Sequence, residues 1–287
     1  MQSELDKLLS ILNVKQKGMS SFEGRCRGRS GQRVYGGLVL GQALMAAGRT
    51  VINERMAHSL HAYFLRPGDD GEPITYEVER TRDGGSFSTR RVVAMQAGQP
   101  IFNLTASFQI EEPGESHQLE MPAVTPPEEL EDEHHVLMRH FEEISEPYRL
   151  RIFPEYPIRF RLTHPENPIE PPPGSSSVKL WMKAEGDIRG GALMHQALLV
   201  YASDHRLLST ALRPHERSVY QGKTMIASLD HSMWFHRPFR FDEWMLYCVS
   251  TPSAQNARGL SLGSIFSREG ILVASVAQEG LMRPIDS

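Results

Sequence analysis

The feature that most constrains this chain of 287 residues is an internal repeat. The segments GGLVLGQALMAA (36–47) and GGALMHQALLVY (190–201) share two initial glycines and a Gln-Ala-Leu triplet in the same register. Two further pairs of similar segments follow in the same order in both halves: HAYFLRP (61–67) with HSMWFHRP (231–238), and LTASFQ (104–109) with VASVAQ (273–278). Three ordered matches predict a duplicated domain, because a solenoid repeats over a much shorter period.

The residue pattern of each copy predicts one long helix followed by the strands of an antiparallel sheet. The segments 36–47 and 190–201 have the pattern of apolar helices. The later segments are rich in β-branched and aromatic residues and are separated by glycine-containing turns, which favours hairpins. These strand candidates are ITYEVERT, STRRVVAM, PIFNLTASFQ, WMLYCVS, LSLGSIFS and ILVASVAQEG. The predicted fold class is α+β, with two units whose sheets pair edge to edge.

The pattern divides the chain into an N-terminal unit (1–110), a connection (111–180) and a C-terminal unit (181–287). Residues 111–135 contain many acids and prolines but no lysine or arginine, which favours a surface linker over core structure. Residues 134–144 have the pattern of a short helix that belongs to this connection.

Charge and apolar patterning exclude several classes of protein. A formal net charge of −4 gives no basic footprint for nucleic acid. No segment has the roughly 20 apolar residues of a transmembrane helix, so we expect no stable membrane insertion. The N-terminus places leucines among acids at helical spacing, which predicts an amphipathic helix rather than a signal peptide. Cys26 and Cys248 form no CxxC motif, so we expect a cytoplasmic protein without a disulfide framework or zinc site.

The second repeated helix ends in an acid, Asp204. This residue shares one helical face with Leu193, Ala197 and Val200, so burial of that face would place the carboxylate at the edge of the core. The alternative is that the helix turns outward and water solvates Asp204, as it does most acids. The first copy has Thr50 at the matching position, so the carboxylate is a difference between the two copies.

Six separated motifs resemble the acyl-CoA thioesterase II family, and the similarity extends over residues 5–284. In sequence order they are GGLVLGQAL, HSLHAYFLRPGD, RDGGSFSTRRV, YASD, LDHSMWFHRP and QEGLMR. The resemblance implies a double hotdog fold, in which two fused copies of a long helix are each wrapped by an antiparallel sheet. It also implies hydrolysis of medium- to long-chain fatty acyl-CoA to free acid and coenzyme A, without a cofactor or a metal.

The resemblance further implies a catalytic set. Members of the family use an aspartate in the YASD motif, a hydroxyl residue before DHSMWFH and a glutamine in QEG, which correspond to Asp204, Ser228 and Gln278. Serine stands at 228 where threonine is usual. A carboxylate, a hydroxyl and an amide that converge on one water can orient and activate it without a covalent intermediate. Only the second copy has the acid and the hydroxyl, because Thr50 and Ala57 occupy the matching positions.

Thioester hydrolysis also requires donors for the developing oxyanion. Backbone N–H groups at the starts of the two repeated helices are the candidates, because the amides of a helix N-terminus point outward and favour anions. These candidate positions are Gly36, Gly37, Gly190 and Gly191.

Several other motifs contain residue types that can act in catalysis. GLSLG (259–263) matches the nucleophile-elbow pattern, but Ser261 falls inside a predicted strand and not in a strand–turn–helix elbow. His58 is a candidate secondary contributor at the mouth of the site, although a structural or surface role is favoured over that. His231 and His236 lack further metal-ligating neighbours, so we expect no metal site there.

Two rival functions follow from the same fold and sequence. A hotdog-fold 2-enoyl-CoA hydratase would use an Asp/His pair, but Asp204 and His205 are adjacent on a helix and their side chains point about 100° apart. A non-catalytic acyl-CoA binder would need no carboxylate on the buried face.

Acyl-CoA is the expected substrate, and a homodimer or homotetramer is the expected assembly. The coenzyme A phosphates require basic side chains, and Arg90, Arg91 and Arg258 are the candidates that the sequence offers.

Overall fold

A computed structural model describes residues 2–28, 31–52, 55–150, 152 and 156–285 of the chain. The α-helices in this part are α1 Gln2–Leu12, α2 Gly36–Gly48, α3 Glu133–Arg139, α4 Glu146–Arg149, α5 Ala192–Ser203 and α6 Leu207–Leu212. Short 3₁₀ helices cover Pro127–Glu129, Phe141–Glu143, Arg213–His215 and Val219–Gln221. Within the described part, no helix is both long and apolar enough to cross a lipid bilayer.

The strands form one continuous antiparallel sheet. They are β1 Lys15–Gln16, β2 Ser21–Gly24, β3 Met56–Phe64, β4 Ile74–Asp83, β5 Phe87–Gln96, β6 Gln99–Gln109, β7 Ile158–Leu162, β8 Ser177–Ala184, β9 Thr224–Ser228, β10 Asp230–Phe235, β11 Met245–Gln255, β12 Arg258–Ser267 and β13 Leu272–Pro284. The six strand segments predicted from β-branched and aromatic patterning correspond to β4, β5, β6, β11, β12 and β13.

The strand order shows the duplication directly. It runs β1-β2-β4-β5-β6-β3-β10-β13-β12-β11-β8-β7, and β9 pairs separately with β13. From the centre outward, the series β3-β6-β5-β4 of the first half repeats as β10-β13-β12-β11 in the second. The halves meet where β3 and β10 pair, with Tyr63 opposite Asp230 and Ser59 opposite Trp234. The predicted edge-to-edge arrangement of a double hotdog is therefore confirmed.

The long helices of the two halves, α2 and α5, pack against each other in antiparallel orientation. A Cβ atom on Gly37 would lie 2.2 Å from the backbone oxygen of Tyr201, and one on Gly41 would lie 3.0 Å from that of Ala197. At the far end, Gly48 lies against Leu193. The start of α2 therefore meets the end of α5, and glycine allows the two backbones to approach closely.

The glycine pair at the start of α5, Gly190 and Gly191, makes no close contact with another backbone. A Cβ atom on Gly191 would meet no atom within 4 Å, and one on Gly190 would meet only the side chain of Met194. The close backbone approach is made by Gly37 and Gly41 instead.

The connection between the halves contains more regular secondary structure and more buried residues than its composition indicated. Residues 111–120 are exposed, as expected of a surface linker. In contrast, Leu137 and Ile144 are buried, and α3 confirms the short helix predicted near residue 134. Strands β7 and β8 lie mostly within the segment predicted as the connection, and they pair with the second half of the sheet.

The glycine contacts predict different costs for equivalent substitutions in the two copies. Gly37→Ala should lower the free energy of unfolding by about 1–3 kcal/mol, because its methyl group would collide with a fixed carbonyl of α5. Gly191→Ala should change it by less than about 0.5 kcal/mol, because the position is open and its φ is −80°. Urea denaturation of the two variants measures this. Equal losses would contradict the helix contact described above.

Candidate active site

A cavity of about 560 Å³ lies between the two halves and the connection. One wall comes from the first half and includes Arg27, Arg33 and Arg66 beside apolar residues such as Phe64 and Phe102. The opposite wall comes from the connection and the second half and is mainly apolar. Its apolar and aromatic members are Leu137, Tyr148, Ile152, Tyr156, Ile158, Phe160, Leu208, Val219, Tyr220 and Ile226. Asp204 and Ser228 also line this cavity.

Asp204 lies where the two walls meet. It caps the C-terminus of α5 and is half-buried. Its Oδ2 accepts a hydrogen bond from the Gly37 N–H at 3.0 Å, and a Cβ atom on Gly36 would lie only 2.8 Å from that oxygen. The carboxylate is therefore held against the N-terminus of α2, whose dipole favours a negative charge. Simple solvation at the end of an outward-turning helix does not describe this arrangement.

Two tyrosines, the partly buried Tyr35 and the fully buried Tyr247, close the end of α5 around the acid. The Tyr35 hydroxyl donates to the Tyr201 carbonyl at 3.0 Å, and the Tyr247 hydroxyl donates to the Ser203 carbonyl at 2.9 Å. Burial first, and then the nearby Asp204 charge, raise the pKa of both phenols well above their usual value. Both hydroxyls therefore stay protonated and satisfy carbonyls that the end of a helix leaves without a partner.

The three residues implied by the resemblance come together as a chain of hydrogen bonds. Ser228 ends β9 and its Oγ lies 3.4 Å from Asp204 Oδ1, to which it donates. Gln278 lies on the neighbouring strand β13, and its Nε2 donates to Ser228 Oγ at 2.9 Å. Gln278 is only 2% exposed, so it supports Ser228 from behind while Asp204 and Ser228 face the cavity.

His231 joins this chain of hydrogen bonds from the core side, a role that its sequence context did not predict. His231 is fully buried on β10, with Nδ1 2.6 Å from Gln278 Oε1 and Nε2 3.1 Å from Ser203 Oγ. Burial lowers its pKa, while the Asp204 charge and the Gln278 hydrogen bond act in the opposite direction. The available signal was strand alternation, because His231 takes the inward position that Leu60 takes in the first copy.

The equivalent place in the first copy is filled by an arginine. Arg90 is 1% exposed, its Nε donates to Thr50 Oγ1 at 2.8 Å and its Nη2 pairs with Asp83 at 2.7 Å. Arg90 is therefore not available for coenzyme A phosphates. Arg91 pairs with Glu79 on the surface.

Arg258, the third basic candidate, also lies away from the cavity. It pairs on the surface with Glu279. None of these three arginines lines the cavity, whose wall includes Arg27, Arg33 and Arg66.

Two other candidates lie away from Asp204. Gly190 and Gly191 are at the opposite end of α5, about 18 Å away for a helix of 12 residues. His58 bonds Ser107 Oγ at 2.8 Å and lies near the start of β3, about 17 Å along the strand from Tyr63, which pairs with Asp230 beside the site. Neither the glycine pair nor His58 therefore lies beside Asp204.

The residues after Asp204 anchor the connection to the site. Glu133 on α3 accepts hydrogen bonds from His205 Nε2 at 2.8 Å and from Arg206. The His205 ring also stacks on Phe160 with centroids 4.1 Å apart. His205 is thus committed to the connection, and the Asp204–His205 pair that a hydratase would need is not formed.

The serine of the elbow-like motif is structural. Ser261 lies within β12 as expected, is 1% exposed and donates to the Leu207 carbonyl at 2.8 Å. It does not present a nucleophile to the cavity.

The fold and the site together define a double-hotdog enzyme with an aspartate at the end of its second long helix. Two family models match the chain, "Acyl-CoA thioesterase" over residues 155–281 and "Acyl-CoA thioesterase N-terminal domain" over residues 27–109. The chain therefore belongs to the acyl-CoA thioesterase II family and is an acyl-CoA thioesterase.

Named relatives agree over nearly the whole chain. Acyl-CoA thioesterase 2 of Haemophilus influenzae is 38% identical and the alignment covers 99% of each chain. Human acyl-coenzyme A thioesterase 8 is 40% identical over 96% of this chain and 88% of the relative. The crystal structure of an acyl-CoA thioesterase II, TesB2, from Mycobacterium marinum has 41% identity and a TM-score of 0.78, covering 97% of this chain and 99% of that one.

The buried ion pair of Glu133 predicts a pH-dependent contribution to stability. Burial alone would raise the pKa of Glu133, but Arg206 and His205 outweigh it and hold the pKa at about 2, below the ordinary 4.5. A lowered folded-state pKa stabilises the fold above 4.5, and this stabilisation is lost as the pH falls toward 2. Glu133→Gln should therefore cost about 3–5 kcal/mol at neutral pH, because the largely buried Arg206 loses its closest carboxylate and keeps only Glu166 at 3.9 Å.

Urea denaturation at several pH values measures this difference. The gap between wild type and Glu133→Gln should narrow as the pH falls below 4.5. The control is Glu131→Gln, which breaks an exposed pair with Arg139 and should change stability little. A gap that is constant with pH would show that Glu133 does not act through its charge.

Proposed function

We propose that this enzyme hydrolyses medium- to long-chain fatty acyl-CoA with a water molecule activated by Asp204 and held by Ser228. The observation that carries the proposal is the half-buried carboxylate of Asp204, which faces the cavity beside the Ser228 hydroxyl. A general base of this kind contributes about 10²–10⁴-fold to the rate.

The hydrogen bonds define how the water is oriented. A serine hydroxyl has one donor and two acceptor sites. Ser228 accepts from Gln278 and donates to Asp204, which leaves one lone pair for the water. In the proposed complex, the water donates one hydrogen to Ser228 Oγ and the other to Asp204, and its own lone pair points at the thioester carbon.

The reaction then proceeds without a covalent enzyme intermediate. The water oxygen bonds to the carbonyl carbon while its proton passes to Asp204. The carbonyl oxygen becomes an oxyanion, for which we propose the N–H of Gly36 as donor, because Gly36 lines the cavity at the start of α2. The neighbouring Gly37 N–H is already engaged by Asp204. Collapse of the tetrahedral species breaks the C–S bond, and the thiolate of coenzyme A takes the proton back from Asp204.

The two walls of the cavity support one orientation of the substrate. The acyl chain would lie along the apolar wall of the connection and the second half, because burial of each methylene stabilises binding by about 0.8 kcal/mol. The coenzyme A phosphates would lie toward Arg33 and Arg66, which are exposed at the first-half wall. The thioester would then sit between them, beside Asp204.

Thiol release from palmitoyl-CoA tests the catalytic set. Asp204→Asn should lower kcat by about 10²–10⁴-fold, because an amide cannot accept the proton of the water. Ser228→Ala should also lower kcat, because it removes the group between Gln278 and the water. Asp187→Asn is the matched control, since this exposed acid lies beyond the other end of α5.

The two cysteines of the protein contribute little background to the thiol-release assay. Burial raises the pKa of Cys26 to about 12 and that of Cys248 to about 11, so both thiols react slowly near neutral pH. Wild-type protein that releases no thiol, or an Asp204→Asn variant as active as wild type, would refute the proposed mechanism.

A bulky side chain on the apolar wall tests the position of the acyl chain. Leu137→Trp should exclude three or four methylenes, which corresponds to a loss of about 10²-fold in kcat/KM for palmitoyl-CoA at 0.8 kcal/mol each. Activity on butyryl-CoA should change little. Met138→Trp is the control, because Met138 is 47% exposed on the same helix. An equal loss for short and long substrates would place the acyl chain elsewhere.

A further inference from the structure

We propose that His231 is a positioning residue, which fixes the orientation of the Gln278 amide and thereby the hydrogen bonds of Ser228. This inference rests on the proposed function, in which Ser228 and Asp204 hold the reacting water. His231 does not line the cavity wall of the described residues and would act through Gln278 alone.

Packing of the core alone does not explain why a histidine occupies position 231. It occupies an inward position of β10, between the core and Gln278, and is fully buried. The matching residue of the first copy, Leu60, is also fully buried and supplies an ordinary apolar contact. An imidazole in such a place is costly unless its two nitrogens have partners, and these are Gln278 Oε1 and Ser203 Oγ.

The partners of Gln278 determine which imidazole nitrogen carries the hydrogen. Gln278 Nε2 donates to Ser228 Oγ at 2.9 Å, so its Oε1 faces His231 Nδ1 at 2.6 Å. An amide oxygen only accepts, and Nδ1 must therefore be the N–H of the ring. The Ser203 hydroxyl lies 3.1 Å from Nε2 and 2.9 Å from the Val200 carbonyl, so beside a neutral ring its one hydrogen is available to either acceptor. Burial favours this neutral form, since it lowers the pKa of His231.

The opposite tautomer, with its hydrogen on Nε2, would reverse the direction of the hydrogen bonds between His231, Gln278 and Ser228. Without a hydrogen on Nδ1, Gln278 would turn its NH₂ group toward His231 and present its oxygen to Ser228. The Ser228 hydroxyl would then donate its single hydrogen to Gln278 and could not donate to Asp204. The lone pairs of Ser228 would be reoriented, and the water would lose its fixed direction toward the thioester carbon.

Three substitutions separate this role from packing. The amide nitrogen of asparagine lies close to the position of Nδ1, whereas a glutamine side chain reaches the position of Nε2. His231→Asn can therefore still donate to Gln278, His231→Gln can contact Ser203 only, and His231→Leu restores the residue of the first copy.

For palmitoyl-CoA, we expect His231→Gln and His231→Leu to lower kcat by about 10- to 100-fold, as for a displaced catalytic group. KM should change by less than about threefold, because no substrate contact is lost. His231→Asn should retain most of the wild-type kcat. Equal kcat values for His231→Asn and His231→Gln would overturn the proposal, whether both variants are active or both inactive.

A measurement independent of turnover separates this inference from the proposed function. The ¹⁵N chemical shifts of the His231 ring report its tautomer in the unmodified protein. A hydrogen on Nδ1 supports the proposal, and a hydrogen on Nε2 alone refutes it, even for a fully active enzyme. A protein with the Nδ1–H tautomer that released no thiol would refute the proposed reaction and leave the orientation of Gln278 as described.

Discussion

The hydrogen bond from the Gly37 N–H to the Asp204 carboxylate is the contact on which the site depends, because it joins the two halves of the chain at the acid. Asp204 stands at the C-terminal end of α5, where the dipole of its own helix disfavours a negative charge. The antiparallel packing brings the N-terminus of α2 to the same place, and its dipole and free amide oppose that effect. Glycine is required there, since a Cβ atom on Gly36 would press on the carboxylate and one on Gly37 on the Tyr201 carbonyl.

The same packing produces a second, quasi-equivalent place at the other end of the helix pair, and its chemistry is different. Thr50 stands where the acid would be, and the guanidinium of Arg90 fills the space beside it. Gln109 matches Gln278 in sequence but not in the sheet, because it lies opposite Met56 at the end of β6 and donates to Glu112 near the surface. The residue opposite Leu60 on β6 is Ala106, whereas His231 is bonded to Gln278 on β13. The first copy thus has apolar residues where the second has the histidine and the glutamine.

Periodicity and the repeat were sufficient to predict the fold, because both are local properties that survive duplication. The six strand segments and the two long helices were identified in this way, and the motifs led to Asp204, Ser228 and Gln278. What could not be predicted depends on contacts between distant segments. Gly36–Gly37 and Gly190–Gly191 look alike in sequence, and only the antiparallel packing shows which pair meets Asp204. Arg90 looked accessible among strand residues, yet its charge is satisfied by Thr50 and Asp83 inside the first half.

The connection between the copies contributes to this asymmetry. An unfused pair of identical units would carry equivalent sites, but a fused chain has one connection, which can cover one end of the helix pair. Glu133 docks α3 on His205 and Arg206, directly after Asp204, so the connection covers the end that carries the acid. Leu137, Tyr148, Ile152 and Tyr156 of the proposed acyl wall belong to this segment. At the Thr50 end the buried Arg90 fills the space instead, where it bonds Thr50 and pairs with Asp83.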